Sequence, residues 1–263
     1  MFKRIILTCS FLLLASSSLA KTPKALYLTD YSNLFHDYRA QVETFLPALQ
    51  KQIDLEIDVI GKTKEELLAT LAKRDFAVNY DLIIYNACLA DTRDFRLARN
   101  LIDQFEKYNR PVMLIHCALH NFRKTSSKLG PLDRWALKQD QKRWAREYPD
   151  EEFPIWWKFA GADSTRHTLL PGKVKAAFVG SHPITVELPP EHTFEFDERY
   201  IIKNIAEDTE ILAYRGSSNQ PIAWVVEKEN SRLFATTIGQ DERTLLDPVF
   251  LKMMGNAAHW LLD

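Results

Sequence analysis

The residues best equipped for chemistry close an apolar run, Pro111-Val-Met-Leu-Ile-His-Cys-Ala-Leu-His-Asn-Phe-Arg123. Two imidazoles, a thiol and an amide follow four apolar residues without a break. Near neutral pH an uncharged imidazole can take up a proton or bind a metal. Val112 to Ile115, after a proline, suit a strand buried on both faces of a parallel sheet. His116 is then the first side chain to leave the apolar layer, at the carboxyl end of a strand, where open α/β sheets bind ligands. If the chain becomes helical there, His116 and His120 share a face at the i, i+4 spacing, with Asn121 beside them. The plainer alternative makes His116 a support for the next helix and His120 an exposed loop residue.

A second concentration lies in the connection between Val179 and Glu210. His182-Pro-Ile184 and Phe196-Asp-Glu-Arg-Tyr200 bring an imidazole, two carboxylates and a phenol into one segment that must cross the sheet. On extended backbone Asp197 and Glu198 point opposite ways, so one of them faces the crevice. That carboxylate is either a general base or orienter of a histidine, or a salt-bridge partner of Arg199 or Arg166.

The elements that must position these groups alternate. Ala25 to Thr29, Leu55 to Ile60, Asp81 to Tyr85 and Val112 to Ile115 read as strands. Between them Val42, Phe45, Leu46 and Leu49, then Leu67, Leu68 and Leu71, then Leu97, Leu101, Ile102 and Phe105 repeat at helical spacing. Thr63 and Glu66 make a capping box, and Pro47 should kink or interrupt its helix. This βα order implies parallel strands joined by right-handed crossovers. The alternation stops after Arg123. Residues 124–172 read as an insertion holding Trp135, Trp144, Trp156 and Trp157, either a stacking wall for a sugar or buried packing area. Strand-like runs resume at Val174 to Val179, Glu210 to Tyr214, Ile222 to Val226 and Arg232 to Thr236. Asn230-Ser231 turns the last two into an antiparallel hairpin, placed at a sheet edge. A helix from Asp247-Pro248 closes the chain. The fold class expected is α/β, flavodoxin-like and doubly wound, with a mainly parallel sheet, helices on both faces and an antiparallel edge hairpin.

Residues 1–20 have the form of a signal peptide: Lys3 and Arg4, an apolar core from Ile5 to Ala15, and Ser18-Leu-Ala20 as a cleavage pattern. Cleavage near Ala20 implies a periplasmic or secreted protein, residues 21–263 forming one α/β domain. Removing Lys3 and Arg4 from the 34 basic residues leaves 32 against 35 acidic ones, a net charge of −3. That balance gives no electrostatic reason to expect nucleic acid or an anionic membrane as partner, and the apolar core is too short to span a bilayer. Homo-oligomerisation is left open. Cys88 and Cys117 remain after processing; two free thiols are expected rather than one disulfide.

Taken together, Asn33-Leu-Phe-His-Asp37, Ile115 to Arg123, Ser164-Thr-Arg-His167, His182-Pro-Ile-Thr185, Asp197-Glu-Arg-Tyr200, Pro221-Ile-Ala-Trp224 and Arg232 to Gly239 resemble the ThuA-like (trehalose-utilisation) family over most of residues 21–263. The resemblance implies a fold similar to class I glutamine amidotransferases and a role in handling sugars or oxidised sugars. It implies no amidotransferase activity. Where those enzymes place a nucleophilic cysteine this chain has His116, and Cys117 is one residue late. Members of the family usually read Gly-His-Asp where this chain reads Gly239-Gln240-Asp241.

Two functions follow as expectations. One is an enzyme acting on a small carbohydrate by hydrolysis, elimination or isomerisation. Its acid/base pair is His116 and Glu198, and its substrate contacts are His36, His120, Asn121, His167, His182 and Tyr200. No cofactor is fixed, and a divalent metal such as zinc is left open. The other is a sugar-binding or accessory protein without turnover. A cluster of His36, His116, His182 and Glu198 favours the enzyme; a dispersed set favours the binding protein.

Overall fold

The computed structural model describes residues 21–216 and 218–263, so the expected signal peptide at 1–20 lies outside the described residues. The first half alternates as read: β1 (Lys24–Leu28), α1 (Tyr38–Leu49), β2 (Glu56–Ile60), α2 (Lys64–Leu71), β3 (Leu82–Tyr85), α3 (Phe95–Glu106) and β4 (Val112–Ile115). The carboxylate of Asp37 accepts from the Ala40 amide at the start of α1, and the Thr63 hydroxyl accepts from the Glu66 amide at the start of α2. Pro47 does not interrupt α1. It lies in the last turn, and the helix runs on to Leu49.

The second half supplies α4 (Pro131–Glu147), α5 (Trp156–Phe159), β5 (Ala162–His167), β6 (Gly172–Phe178), β7 (Glu191–Asp197), β8 (Tyr200–Ile205), β9 (Thr209–Arg215), β10 (Pro221–Lys228), β11 (Ser231–Thr236), α6 (Glu242–Leu245) and α7 (Pro248–Leu262). One sheet of nine strands has the order β2-β1-β3-β4-β11-β10-β9-β6-β7, and β5 pairs with β8 in a separate ladder. β2, β1, β3, β4 and β11 are mutually parallel; β10, β9, β6 and β7 continue the sheet antiparallel. The β10–β11 hairpin is present, and it joins the sheet through β11, which pairs with β4 in the interior. Antiparallel strands then carry the sheet out to its edge at β7. The connection expected between Val179 and Glu210 is two further strands, β7 and β8.

Both faces of the sheet are covered by apolar packing. Leu26, Ile83, Leu114 and Leu233 point to the α2–α3 side; Tyr27, Ile84, Met113 and Phe234 point to the α1–α7 side. This is the alternation of consecutive side chains on buried strands. The tryptophans of the insertion divide. Trp144 and Trp156 are buried, and the Trp156 indole donates to the Ala118 carbonyl at 3.0 Å beneath the segment that bears the histidines. Trp135 is exposed. Packing, rather than a stacking wall, therefore describes Trp144 and Trp156. Cys88 and Cys117 form a disulfide, which corrects the expectation of two free thiols.

Candidate active site

β4 delivers His116 to the carboxyl end of the parallel strands, where the chain turns sharply. His116 takes a left-handed φ of 50°, uncommon for a residue with a Cβ, and opens a 3-10 turn over His116–His120. The segment after β11 packs onto this elbow. Gly239, at φ 136°, passes so close that an added Cβ would lie 2.9 Å from Ile115 Cγ2 and 3.4 Å from His116 Cβ. Only glycine meets both demands without strain.

The buried His116 ring is surrounded by acceptors. Its Nδ1 lies 2.7 Å from the Thr237 carbonyl oxygen, and its Nε2 lies 2.8 Å from Gln240 Oε1 and 3.3 Å from Glu198 Oε2. Asp197 Oδ1 stands 3.8 Å from Nδ1. The Thr237 carbonyl can only accept, so Nδ1 carries a proton and donates to it, while Nε2 faces the Gln240 amide and the Glu198 carboxylate. Burial alone pushes the ring down, but the hydrogen bond to Glu198 and the charges of Asp197 and Glu198 outweigh it, and the net shift is upward from 6.5. The surroundings thus favour the protonated ring more than water does.

Both carboxyl groups reach the His116 ring, which corrects the expectation that one of them faces away: β7 ends at Asp197, so strand alternation does not extend to Glu198. Asp197, fully buried at the end of β7, accepts from the amides of Glu198 (2.7 Å), Gly239 (2.9 Å) and Gln240 (3.3 Å). Burial raises its pKa against the pull of His116 and these amides. Glu198 approaches the other nitrogen of the ring, with Oε1 3.2 Å from His167 Nδ1 and Oε2 facing His116 Nε2. Burial opposes its charge, yet the His116 hydrogen bond and the nearby rings lower its pKa overall.

Around this pair runs a continuous line of rings. Tyr38 lies 5.3 Å from His36, His36 5.2 Å from His116, His116 5.0 Å from Tyr200, and Tyr200 4.2 Å from His120, stacked. His167 stacks 5.7 Å from both His120 and Tyr200. His36 is held uncharged, its pKa lowered to about 4 by burial and then by His116. His120, lowered well below 6.5 by burial and the neighbouring histidines, meets the Ser164 hydroxyl at 3.0 Å.

Of the residues singled out in the sequence, His36, His116, His120, His167, Glu198 and Tyr200 therefore come together. Two do not. The amide of Asn121 is spent on the backbone, accepting from the Leu89 amide and donating to the Ala87 carbonyl at 3.1 Å, so it clamps the loop after β3. His182 caps the short turn Pro183–Thr185, accepting from the Ile184 amide. It packs 4.9 Å from Trp260, whose carbonyl accepts from Arg232 at the start of β11, the opposite end of the strands from His116. Tyr38 was not among the expected residues. It is the first residue of α1, a place whose sequence signal is only that of a helix start. Among the described residues, no three His, Cys, Asp or Glu side chains are arranged to hold a metal ion. No helix among them is long and apolar enough to cross a membrane.

Comparison with known proteins agrees with this architecture. Residues 144–261 match the family model ThuA, described as trehalose utilisation. A ThuA-like protein from Bacteroides uniformis superposes with a TM-score of 0.64 at 16% identity, covering 94% of each chain. Another from Parabacteroides merdae gives 0.64 at 13% identity over 92% of this chain and 90% of its own. A glutamine amidotransferase from Thermotoga maritima gives 0.57 at 10% identity over 92% and 99%. Curated proteins provide no match to the sequence. The chain thus carries the ThuA sequence pattern over residues 144–261, on the fold that ThuA-like proteins share with class I glutamine amidotransferases.

Proposed function

We propose that this chain is an exported carbohydrate-active enzyme in which His116, as imidazolium, is the general acid and Glu198, as carboxylate, the general base. The observation that carries the proposal is the His116 ring with acceptors at both nitrogens and the Glu198 carboxylate 3.3 Å from Nε2. Such a pair holds a proton donor and a proton acceptor side by side in a place shielded from water, which is what proton transfer at a bound substrate needs. The description of the matching family model, trehalose utilisation, supports a sugar as substrate.

The carboxyl geometry narrows the reaction. Hydrolysis of a glycoside by the common route uses two carboxyl groups free to reach opposite sides of the bond. Here Asp197 is fully buried and held by three backbone amides, which leaves Glu198 as the free carboxylate of the pair. Proton transfer at a sugar carbon, in isomerisation or elimination, requires only one base and one acid and fits better. Glutamine amidotransfer does not fit: the elbow carries His116, and Cys117 is bonded to Cys88. His36, His120, His167 and Tyr200 are the substrate contacts of this reading.

A second reading, a sugar-binding protein without turnover, draws on Gln240. Its side-chain oxygen occupies His116 Nε2 at the position where the family usually has histidine. Incubating the protein with trehalose, glucose and common ketoses and aldoses, with product analysis by chromatography, separates the two. Turnover abolished by Glu198→Gln supports the enzyme. Saturable sugar binding with no product from any sugar supports the binding protein, and neither binding nor turnover contradicts both.

A further inference from the structure

We infer that the outward face of α4 is a docking surface for an anionic phospholipid membrane, on which the protein lies without spanning it. The inference is separate from the sugar chemistry at His116 and rests on a different part of the molecule.

The core makes little use of α4. Of its 17 residues only Asp140 and Trp144 are buried. Those two hold the helix in place: Asp140 pairs with Arg93 and Arg143, and the Trp144 indole donates to the Glu151 carbonyl at 2.9 Å. A helix that buries so little has most of its surface open to a partner.

Charge is sorted around the helix axis. At 3.6 residues per turn, Trp135, Lys138, Lys142 and Arg146 fall within roughly 80° of arc, and all four are exposed. The carboxyl residues of the helix, Asp133, Asp140 and Glu147, fall within roughly 40° on nearly the opposite side. Asp133 pairs with Lys124, and Asp140 with Arg93 and Arg143. Lys138, Lys142 and Arg146 form no ion pair among the described residues. Cations spaced four residues apart repel one another along a helix, so the stripe weakens α4 in water, and an anionic surface would relieve it.

Apolar residues at the start of the stripe decide which anionic surface it fits. Leu132 is 85% exposed and Trp135, three residues on, 65%. Tryptophan favours the boundary between headgroups and acyl chains, and cations on the same face meet the headgroup phosphates. Leucine is stabilised by leaving water for acyl chains, whereas an acidic polysaccharide offers it no apolar phase. The attraction is local. Residues 21–263 carry a net charge of −3, the 34 basic residues less Lys3 and Arg4 against 35 acidic ones, so the stripe must supply the attraction that the whole chain lacks. Among the described residues no helix is long and apolar enough to cross a membrane, which leaves docking at its surface.

The test is sedimentation of residues 21–263, the form that cleavage near Ala20 would release, with vesicles of phosphatidylcholine alone or mixed with phosphatidylglycerol. The mixed vesicles should bind the protein and the neutral ones should not. Raising salt from about 0.1 M to about 1 M, which shortens screening from roughly 10 Å to 3 Å, should release it. Replacing the three cations together, Lys138→Gln with Lys142→Gln and Arg146→Gln, should weaken partitioning on the order of 100-fold, about fivefold for each charge. Trp135→Ser should weaken it about tenfold. Lys51→Gln with Lys62→Gln and Lys73→Gln, three exposed cations on other segments, should bind as the wild type does. No binding to the mixed vesicles would overturn the inference, as would equal binding to both kinds of vesicle or an equal loss in the two triple variants. Capture by polyglutamate or by an acidic polysaccharide, with no binding to the mixed vesicles, would make an acidic polymer the partner and overturn the lipid assignment.

Discussion

Glu198 Oε2 lies 3.3 Å from His116 Nε2, and the other nitrogen of the same ring donates to the Thr237 carbonyl at 2.7 Å. In the proposed mechanism this arrangement holds one proton on a buried imidazole next to an ionised carboxylate. Substrate chemistry at this place would use both charges at once, and that sets how activity and stability respond to pH and to substitution.

The pH dependence follows from three shifts. The proposed mechanism needs Glu198 ionised and His116 protonated, so turnover should rise as Glu198 ionises below 4.5 and fall on the alkaline side at a pKa above 6.5. Stability has its own signs. Glu198, lowered, contributes above 4.5 and is lost as pH falls through its folded pKa; His116, raised, contributes below 6.5 and is lost as pH rises through its folded pKa. His36, lowered to about 4, makes the unfolded chain take up its proton first, which removes about 3 kcal/mol as pH falls from 6.5 to 4. Melting temperatures across a pH series should therefore peak close to 6.5. A monotonic rise to alkaline pH would contradict the assignment.

His116→Asn should lower turnover by about 10²–10⁴-fold, the contribution of a positioned acid. Asparagine tolerates the left-handed φ of 50° better than most residues, so the loss should not require unfolding. Cys117→Ser should keep most turnover while losing about 2–4 kcal/mol of stability, because it opens a disulfide that closes 29 residues of chain. Steady-state kinetics and denaturant titration of both variants check the contrast. Loss of turnover in Cys117→Ser with His116→Asn active would require a thiol mechanism.

How much of this was legible in the sequence depended on which physical signal each part leaves. β4 and His116 were readable because four apolar residues end abruptly in an imidazole, whereas the convergence of Asp197 and Glu198 on that ring was not, because β7 ends at Asp197 and the two-residue period of a strand stops there. β7 was not readable either, since Glu191-His192-Thr193 carries no clean alternation and no short turn joins it to its partner β6. The interior place of β11 depends on pairing with β4, a long-range choice that local pattern does not encode. His182 and Asn121 had the right residue types, but local backbone amides and carbonyls satisfy them first. The surroundings that favour a protonated His116 come from Thr237, Gln240 and Glu198 converging from two distant segments, which residue type alone does not encode.

Asp197 acts through its neighbours. Asp197→Asn replaces one accepting oxygen with a donor, leaving at least one of the three buried amides facing an N–H, at a cost of roughly 1–3 kcal/mol. It also removes a negative charge 3.8 Å from His116 Nδ1, so the alkaline limb of the activity profile should move to lower pH. An unchanged alkaline limb would mean that Asp197 serves structure alone.

Gly239→Ala places a methyl group 2.9 Å from Ile115 Cγ2 at a φ of 136°, and should destabilise the protein by roughly 1–3 kcal/mol. Because Gly239 and Gln240 both donate to Asp197, the same change should disturb the His116 hydrogen bonds and lower turnover beyond the stability loss. Thermal melts with kinetics below the transition check this; wild-type stability would contradict the close approach.

The most direct measurement is the protonation state of His116 itself, read from its ring ¹⁵N and ¹H resonances in labelled protein and assigned by His116→Asn. The account predicts both nitrogens protonated at pH 6.5, with deprotonation at higher pH and a downward shift of that transition in Glu198→Gln. A single-proton neutral ring at or below pH 6.5, unaffected by Glu198→Gln, would contradict it.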